Sequence, residues 1–355
     1  MIKIAIVGGG FYGCYFAKKL KDKFKSKIEL HIFEKNKKLI IEAGSNNQYK
    51  LHLGYHYPRS MYTIRQTIEG SKKFKKEFRK FIFYPKKNIY LIHKKSHVKA
   101  KKFYKIFKKF GLKIKYFNIK KLQFIKNFSD FEKAFKTEEG VIKFNKLNTF
   151  LINKVESYCN VFKSVKIKEI NSKKGFLIDD KSNVYSNYDY IINCSYTNPN
   201  MGLENKFILK YELAGMVKIK NPFKDKIGVT IMDGEFVTLY PRDQYYSSLS
   251  SVRHTPIKRF RKLEDLNKFQ NKFNLKKNNR IQLIVRDVRK YFNQKLKIKN
   301  SKLIVAPKAK IYNDAKDQRP SLIRKNKKTF SILAGKIDVA PIIFEKLLKR
   351  LNLKI

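Results

Sequence analysis

Glycines at 8, 10 and 13, an acid at 34, histidines at 52 and 56, and arginines at 59, 242 and 319 are the positions whose types and spacing suit chemistry. The glycines form a GxGxxG: Gly8 permits a tight turn, Gly10 lets backbone approach a pyrophosphate, and Gly13, with Ala17, lets a helix pack closely on a strand. Glu34 stands 21 positions beyond Gly13, where a carboxylate accepts hydrogen bonds from both hydroxyls of an adenosine ribose and disfavours a 2′-phosphate. His52 and His56 carry imidazoles, which titrate near neutrality and can take a proton from a hydroxyl or ammonium group. Their spacing is also that of a helical metal pair, but Gly54 and Pro58 oppose a helix and no Cys or acid accompanies them, so no metal site is expected. A guanidinium fork matches both oxygens of a carboxylate in one geometry. Arg319 is the first candidate for such a clamp, against pairing with Asp314 or Asp317; Arg242 follows, against a solvated turn residue. Tyr240 either donates to the same ligand or packs on a sheet face.

The elements that must position these residues begin at once. Ile2, Ile4, Ile6 and Val7 make a strand, the glycine turn opens a helix whose N-terminus offers free N–H groups to phosphates, and 28–33 make a second strand ending at Glu34. Residues 43–60 are turn-rich, and 62–81 read as an amphipathic helix with Ile64, Ile68, Phe74 and Phe78 near one face. Residues 84–135 alternate short β-like pieces with basic helical ones. A helix to about Cys159, strand-like 161–170 and 176–178, and the strand 188–194 read as a return to the dinucleotide sheet. Strands without helices follow at 212–220, 227–232, 236–240 and 245–252, with Asp233-Gly234 as a hairpin signal. A run of strands after a βαβ unit implies a second, antiparallel domain. The expected fold class is therefore α/β: a Rossmann-like dinucleotide domain from 1–83, 145–205 and 300–355, interleaved with a mostly antiparallel α+β substrate domain from 84–144 and 206–299. Such interleaving leaves a cleft at the junction.

The formal charge of +54 invites a nucleic-acid reading. Only 13 of the 82 basic residues are Arg, however, and the Lys are spread through nearly every segment, the pattern of a compositional bias. No specific nucleic acid is expected; weak, salt-sensitive contact with anionic membrane is. Three widely spaced cysteines without a CxxC indicate neither a disulfide framework nor zinc. The chain opens on a core strand, leaving no room for a cleavable leader, and has no apolar run of 18 residues. A cytoplasmic location is the expectation.

Five ordered stretches then carry a resemblance to the D-amino-acid oxidase superfamily of FAD-dependent oxidoreductases, nearest its L-2-hydroxyglutarate dehydrogenase-like branch. They are GGGFYG (8–13) with Glu34, HLGYHYPRS (52–60) before a helix, LYPRDQ (239–244), QRPS (318–321) and ILAGKIDVAP (332–341), spread over nearly the whole chain. The resemblance implies FAD as cofactor. Its contacts would be Gly8, Gly10, Phe11, Tyr12 and Gly13 in the first turn, then Glu34 and Lys35, then Ser45 and His52. Val165 and the C-terminal turn Gly335, Lys336, Ile337 and Asp338 complete them. Catalysis would fall to His56, His52, Arg319, Arg242 and Tyr240. Asn193, Cys194 and Ser195 depart from the superfamily's Ala-Thr-Gly after the third cofactor strand, and the C-terminal turn lacks its multiple glycines.

The function these readings imply is hydride transfer from a small amino or 2-hydroxy acid to flavin N5, by an oxidase or dehydrogenase whose electron acceptor no motif identifies. Two alternatives stay open: a flavoenzyme of another type, such as a sugar-nucleotide mutase or RNA-modifying enzyme, and a non-catalytic dinucleotide-binding protein.

Overall fold

A computed structural model describes residues 1–312, 318–351 and 353. Its first sheet has six strands in the order Leu322–Asn326, Thr329–Leu333, Tyr190–Asn193, Ile2–Val7, Ile28–Glu34, Asn160–Lys163. All neighbours are parallel except the outermost pair, Leu322–Asn326 with Thr329–Leu333. Ile2–Val7 lies in the middle because Ile4 to Val7 are buried on both faces, the unalternating apolar run that a sheet covered on both sides requires. The helix Phe11–Phe24 covers one face with Phe11, Tyr15, Phe16, Ala17 and Leu20. It packs against the helices Phe144–Tyr158 and Ala340–Leu351.

The expected helix at 62–81 runs Met61–Phe78 and ends in a 3-10 turn, Arg79–Phe81. Ser60 starts it, its hydroxyl accepting the Thr63 N–H at 3.3 Å. Residues 167–185 form a separate three-stranded antiparallel sheet beside the cofactor sheet; only Asn160–Lys163 joins the latter.

The second large sheet has nine strands. It gathers Lys87–His93, Lys115–Phe117 and Phe131–Lys136 with Leu209–Lys220, Ile227–Met232, Val237–Pro241, Tyr246–Ser251 and Pro256–Phe260. The two chain segments meet through one parallel pairing, Ile227–Met232 with Lys87–His93; every other pairing is antiparallel. The ninth strand, Lys302–Ile311, pairs along ten residues with Leu209–Lys220. The sequence groups it with the dinucleotide-domain pieces, but its ladder is with Leu209–Lys220 in the nine-stranded sheet.

A fourth, small sheet joins the two halves. Lys50–Leu51 and Ile82–Phe83 both pair antiparallel with Gly140–Ile142. Its strand Lys50–Leu51 lies in the stretch 43–60 read as turn-rich, and it fixes the loop that carries His52 and His56.

Candidate active site

Parallel strands that end at one edge leave a crevice at their carboxyl ends, where ligands of open α/β sheets bind. Here that crevice opens into a cavity of about 1030 Å³ between the two large sheets. Its wall starts at the glycine turn. Gly8 has φ +104°, and a Cβ there would lie 2.7 Å from the Cys194 carbonyl oxygen. Gly13 is equally confined, its Cβ position 2.0 Å from the Gly8 carbonyl oxygen, so it sets helix-on-strand packing. Gly10 differs: no atom lies within 4 Å of where its Cβ would be. That open space on the cavity wall, at the start of a 14-residue helix, is the approach a pyrophosphate needs.

Glu34 is also on this wall. Its Oε2 accepts the Gly9 N–H at 2.9 Å, and its Oε1 accepts the backbone and side-chain N–H groups of Asn36 at 2.9 and 2.7 Å. Burial pushes its carboxyl up while these three bonds pull it down. Gly9, to which the sequence reading gave no task, makes the contact possible: a Cβ there would meet Leu39 at 2.3 Å and the Glu34 Cβ at 3.0 Å. Open space at Gly10 and an anchored carboxylate at the second strand's end together fit an ADP-bearing dinucleotide.

The opposite wall is built by the loop 52–59 and the C-terminal turn. Gly70 lets Met61–Phe78 press on that turn, since a Cβ would lie 2.8 Å from the Asp338 carbonyl oxygen. Ser71 Oγ donates to Asp338 Oδ2 at 3.0 Å and also to the His52 carbonyl. Gln66 clasps Ser321 twice, accepting its N–H at 2.9 Å and donating to its carbonyl at 3.0 Å. Gly335 abuts the Arg319 carbonyl, 2.1 Å from its Cβ position, and Tyr12 OH donates to the Lys336 carbonyl at 2.5 Å. Four stretches separated by up to 324 positions thus share one wall.

The electrostatics follow from burial. The Lys336 ammonium sits 4.5 Å from the Tyr57 ring centre, and burial lowers its pKa while the Asp338 carboxylate opposes that shift. Burial conversely raises Asp338. Burial, then the charges of Lys336, Lys50 and His56, hold His52 well below the ordinary imidazole range, so it is neutral at pH 7. A second charged group on the wall was not foreseen. Glu212 lies 2.5 Å from Lys310 Nζ; burial raises its carboxyl, but Lys308, Lys310 and Arg319 more than offset this.

Of the expected cofactor positions, Gly8, Gly10, Phe11, Tyr12, Glu34, Lys35, His52, Val165 and Gly335 to Asp338 line the cavity, as do His56 and Arg319. Arg319 NH1 donates to the Gln318 carbonyl at 2.8 Å and its backbone N–H to Thr63 Oγ1 at 3.4 Å. Asp314 and Asp317, its alternative partners, lie outside the described residues. Arg59, also on the wall, places Nε 2.7 Å from Asp233 Oδ2.

Four expected positions, among the described residues, are off the wall: Gly13, which packs helix on strand, and Tyr240, Arg242 and Ser45. Tyr240 is fully buried, its hydroxyl between the carbonyls of Glu139 and Gly140 at 3.2 and 3.0 Å. Arg242 stacks 3.9 Å over Tyr49 and donates to the carbonyls of Asn47 and Ser45. The Tyr240 hydroxyl and two Arg242 N–H groups thus meet backbone carbonyls behind the wall. Ser45 donates to the Ile40 carbonyl and accepts from Asn148 Nδ2 at 3.1 Å, facing a separate depression. The departure at 193–195 has a structural account: Asn193 Oδ1 accepts from Ser195 N and Oγ while its Nδ2 donates to the Asn198 and Met201 carbonyls, stapling the loop that lines the cavity.

Sequence reasoning missed one cluster entirely. Lys50 and Glu139, both under 2% exposed at their side chains, pair at 2.7 Å directly behind His52. Tyr90 OH donates to the same carboxylate oxygen at 2.6 Å, and the Lys50 ammonium lies between the rings of Tyr90 and Tyr240 at 4.8 and 4.5 Å. In a chain with 28 acids against 82 bases, the scarcity of acids was the available signal for Glu139. Among the described residues no His, Cys, Asp or Glu cluster forms a metal site, and no helix is long and apolar enough to cross a membrane.

The fold, two large sheets meeting at a cavity lined by the glycine turn, is shared with solved oxidases. The solved structures it resembles include glycine oxidase from Geobacillus kaustophilus, with TM-score 0.74, 12% identity and coverage of 100% of this chain and 96% of that one. L-alpha-glycerophosphate oxidase from Mycoplasma pneumoniae, solved with FAD bound, gives TM-score 0.74 at 14% identity, again covering 100% and 96%. NikD, an amino acid oxidase of nikkomycin biosynthesis, gives 0.74 at 10% identity over 100% and 95%. Among curated proteins, the FAD-dependent monooxygenase FPY4 of Fusarium mangiferae is 25% identical over 261 residues, 73% of this chain and 66% of that protein. The FAD-dependent monooxygenase kojA of Aspergillus flavus is 32% identical over 89 residues, 25% of this chain. The chain spans 66% and 20% of these two relatives' lengths. No family model matches the chain.

Proposed function

We propose that the protein is an FAD-dependent oxidoreductase that takes a hydride from a small amino or 2-hydroxy acid. The observation that carries this reading is the continuity of one cavity from the Gly10 and Glu34 cradle to a wall bearing His52, His56, Arg319 and Lys336. The backbone of 8–12 would hold the pyrophosphate, Glu34 the adenosine ribose, and the turn 335–338 with Val165 further parts of the cofactor. When bound, FAD supplies the hydride acceptor at its N5. Arg319 orients the substrate carboxylate by a two-point contact, fixing angle as well as position. His52 or His56 accepts the proton from the hydroxyl or ammonium group, a role that suits an imidazole held neutral. Lys336 places a cation beside the same space, where it stabilises developing negative charge. Tyr240 and Arg242 act from behind the wall. The dinucleotide domain is assigned to 1–83, 145–205 and the chain beyond 318, with Lys302–Ile311 given to the substrate domain on its strand pairing. A cytoplasmic location accompanies this reading.

The fold is shared with glycine, glycerophosphate and amino acid oxidases, which favours substrate oxidation over the mutase or RNA-modifying alternatives. The test is an anaerobic screen of amino acids, hydroxy acids and sugar acids for bleaching of the purified protein's flavin. Bleaching by at least one carboxylate donor without added nicotinamide is expected. A protein that binds flavin and is reduced by none of them is a non-catalytic binder.

A further inference from the structure

We infer that Glu139 is a positioning residue that sets the proton on His52, holding Nδ1 as the N–H nitrogen and leaving Nε2 with the lone pair. The inference deepens the proposed function and rests on it for the use to which Nε2 is put.

Register makes the two residues neighbours. Leu51 pairs with Gly140 and Lys50 with Val141 in an antiparallel ladder, so the next positions outward, His52 and Glu139, face each other across the strand end. His52 Nδ1 lies 3.9 Å from Glu139 Oε1. That nitrogen is buried and has no hydrogen-bond partner among the described residues, an arrangement that costs a polar group its solvation without return.

The carboxylate has room for it. A carboxylate offers about four lone-pair sites. Among the described residues, Oε2 serves Lys50 Nζ and Tyr90 OH, whereas Oε1 serves only the Leu53 N–H at 3.0 Å. The remaining site is on the oxygen nearest His52. A modest rotation of the imidazole closes 3.9 Å to hydrogen-bonding distance, and only an N–H can use an acceptor there. Lys50 supplies the neutralising charge, so Glu139 orients the ring without being an isolated buried anion. The other charged groups facing His52 are Lys336, Lys50 and His56; of the ionised forms none offers Nδ1 an acceptor, and the lone pair of a neutral His56 belongs to a ring whose centre is 6.2 Å from that of His52. Lys50 and His52 both lie on the cavity wall, so the oriented ring belongs to the site and not to the interior.

The test is nitrogen NMR of the flavin-loaded protein carrying ¹⁵N-labelled histidine, with His52→Asn identifying the His52 signals among those of six histidines. The wild type is expected to show protonated Nδ1 and bare Nε2. The double variant Lys50→Met/Glu139→Leu replaces the ion pair with apolar groups of similar size, a change buried pairs often tolerate, and should convert His52 mainly to the Nε2–H form. Glu139→Gln, which keeps an acceptor oxygen, should retain more of the wild-type form. A wild-type His52 protonated on Nε2 overturns the inference, as does an unchanged tautomer in a double variant that keeps its flavin and circular dichroism. The two readings fail separately. Nδ1–H on a protein that no donor reduces removes the proposed oxidation alone, and donor reduction with Nε2–H removes the role of Glu139 alone.

Discussion

Gly10→Val separates cofactor binding from folding more cleanly than any other glycine change in the first turn. At Gly8 and Gly13 a new Cβ would meet backbone at 2.7 and 2.0 Å, and Gly8 also has a positive φ, so substitutions there damage the fold. At Gly10, φ is −73° and nothing lies within 4 Å of the Cβ position, so Val costs the empty protein only about 1 kcal/mol, the loss of a favourable helix-start residue. The cofactor meets the isopropyl group where its pyrophosphate should approach. Losing two charge-assisted hydrogen bonds at about 1.5–3 kcal/mol each gives about 3–6 kcal/mol, a drop in affinity of about a hundredfold to ten-thousandfold. The assay pairs a fluorescence titration of the apoprotein with FAD and thermal melting of both apoproteins. Near-equal melting temperatures with weak FAD binding are expected. Wild-type flavin stoichiometry in the folded variant, or an apoprotein destabilised as badly as Gly13→Val, would refute the assignment of that space.

Three further outcomes follow from the same geometry. Arg319→Lys keeps charge but loses the fork, so donor affinity and flavin reduction measured by stopped flow should fall while FAD occupancy survives; Arg319→Met should be worse, by about 2–5 kcal/mol if the pair is desolvated. Arg242→Met should instead lower the melting temperature, by about 2–4 kcal/mol of stability, because it removes donors to two partly buried carbonyls and a ring stack; it loosens the loop 45–49 without abolishing donor binding. His52 is held below its ordinary value of 6.5, so between those two values the unfolded chain binds more protons than the native one, and stability from this group is full above pH 6.5 and declines on acidification below it. His52→Asn should flatten that part of a melting-temperature profile against pH, and an equally steep fall in the variant would exclude His52 as its source.

The cofactor half was readable because its determinants are local. The glycine turn, its helix and Glu34 fall within the first 34 residues, and Gly13's task is set by Gly8 within the motif, although Gly8 itself is confined by the distant Cys194 carbonyl. The surroundings of Tyr240 and Arg242 were hidden for the opposite reason. Both occupy the hairpin where a substrate contact was expected, yet their partners, at Glu139 and Asn47, are 101 and 195 positions away, and nothing in a local pattern says which acceptor a donor will meet. Lys302–Ile311 likewise carries an apolar run without any mark of the sheet it joins. Glu139 was invisible because its meaning arises only when Gly140–Ile142 pairs with Lys50–Leu51, a register that spans nearly ninety residues.

The small sheet formed by Lys50–Leu51, Ile82–Phe83 and Gly140–Ile142 also sets the seam along which this architecture can be recombined. A chimera that exchanges the segment between 84 and 144 for a relative's would import a foreign Glu139 and Gly140 edge against a native His52 loop, mixing the two halves of one ladder. The crossover belongs before 139, so that residues 139–142 travel with the loop they pair with.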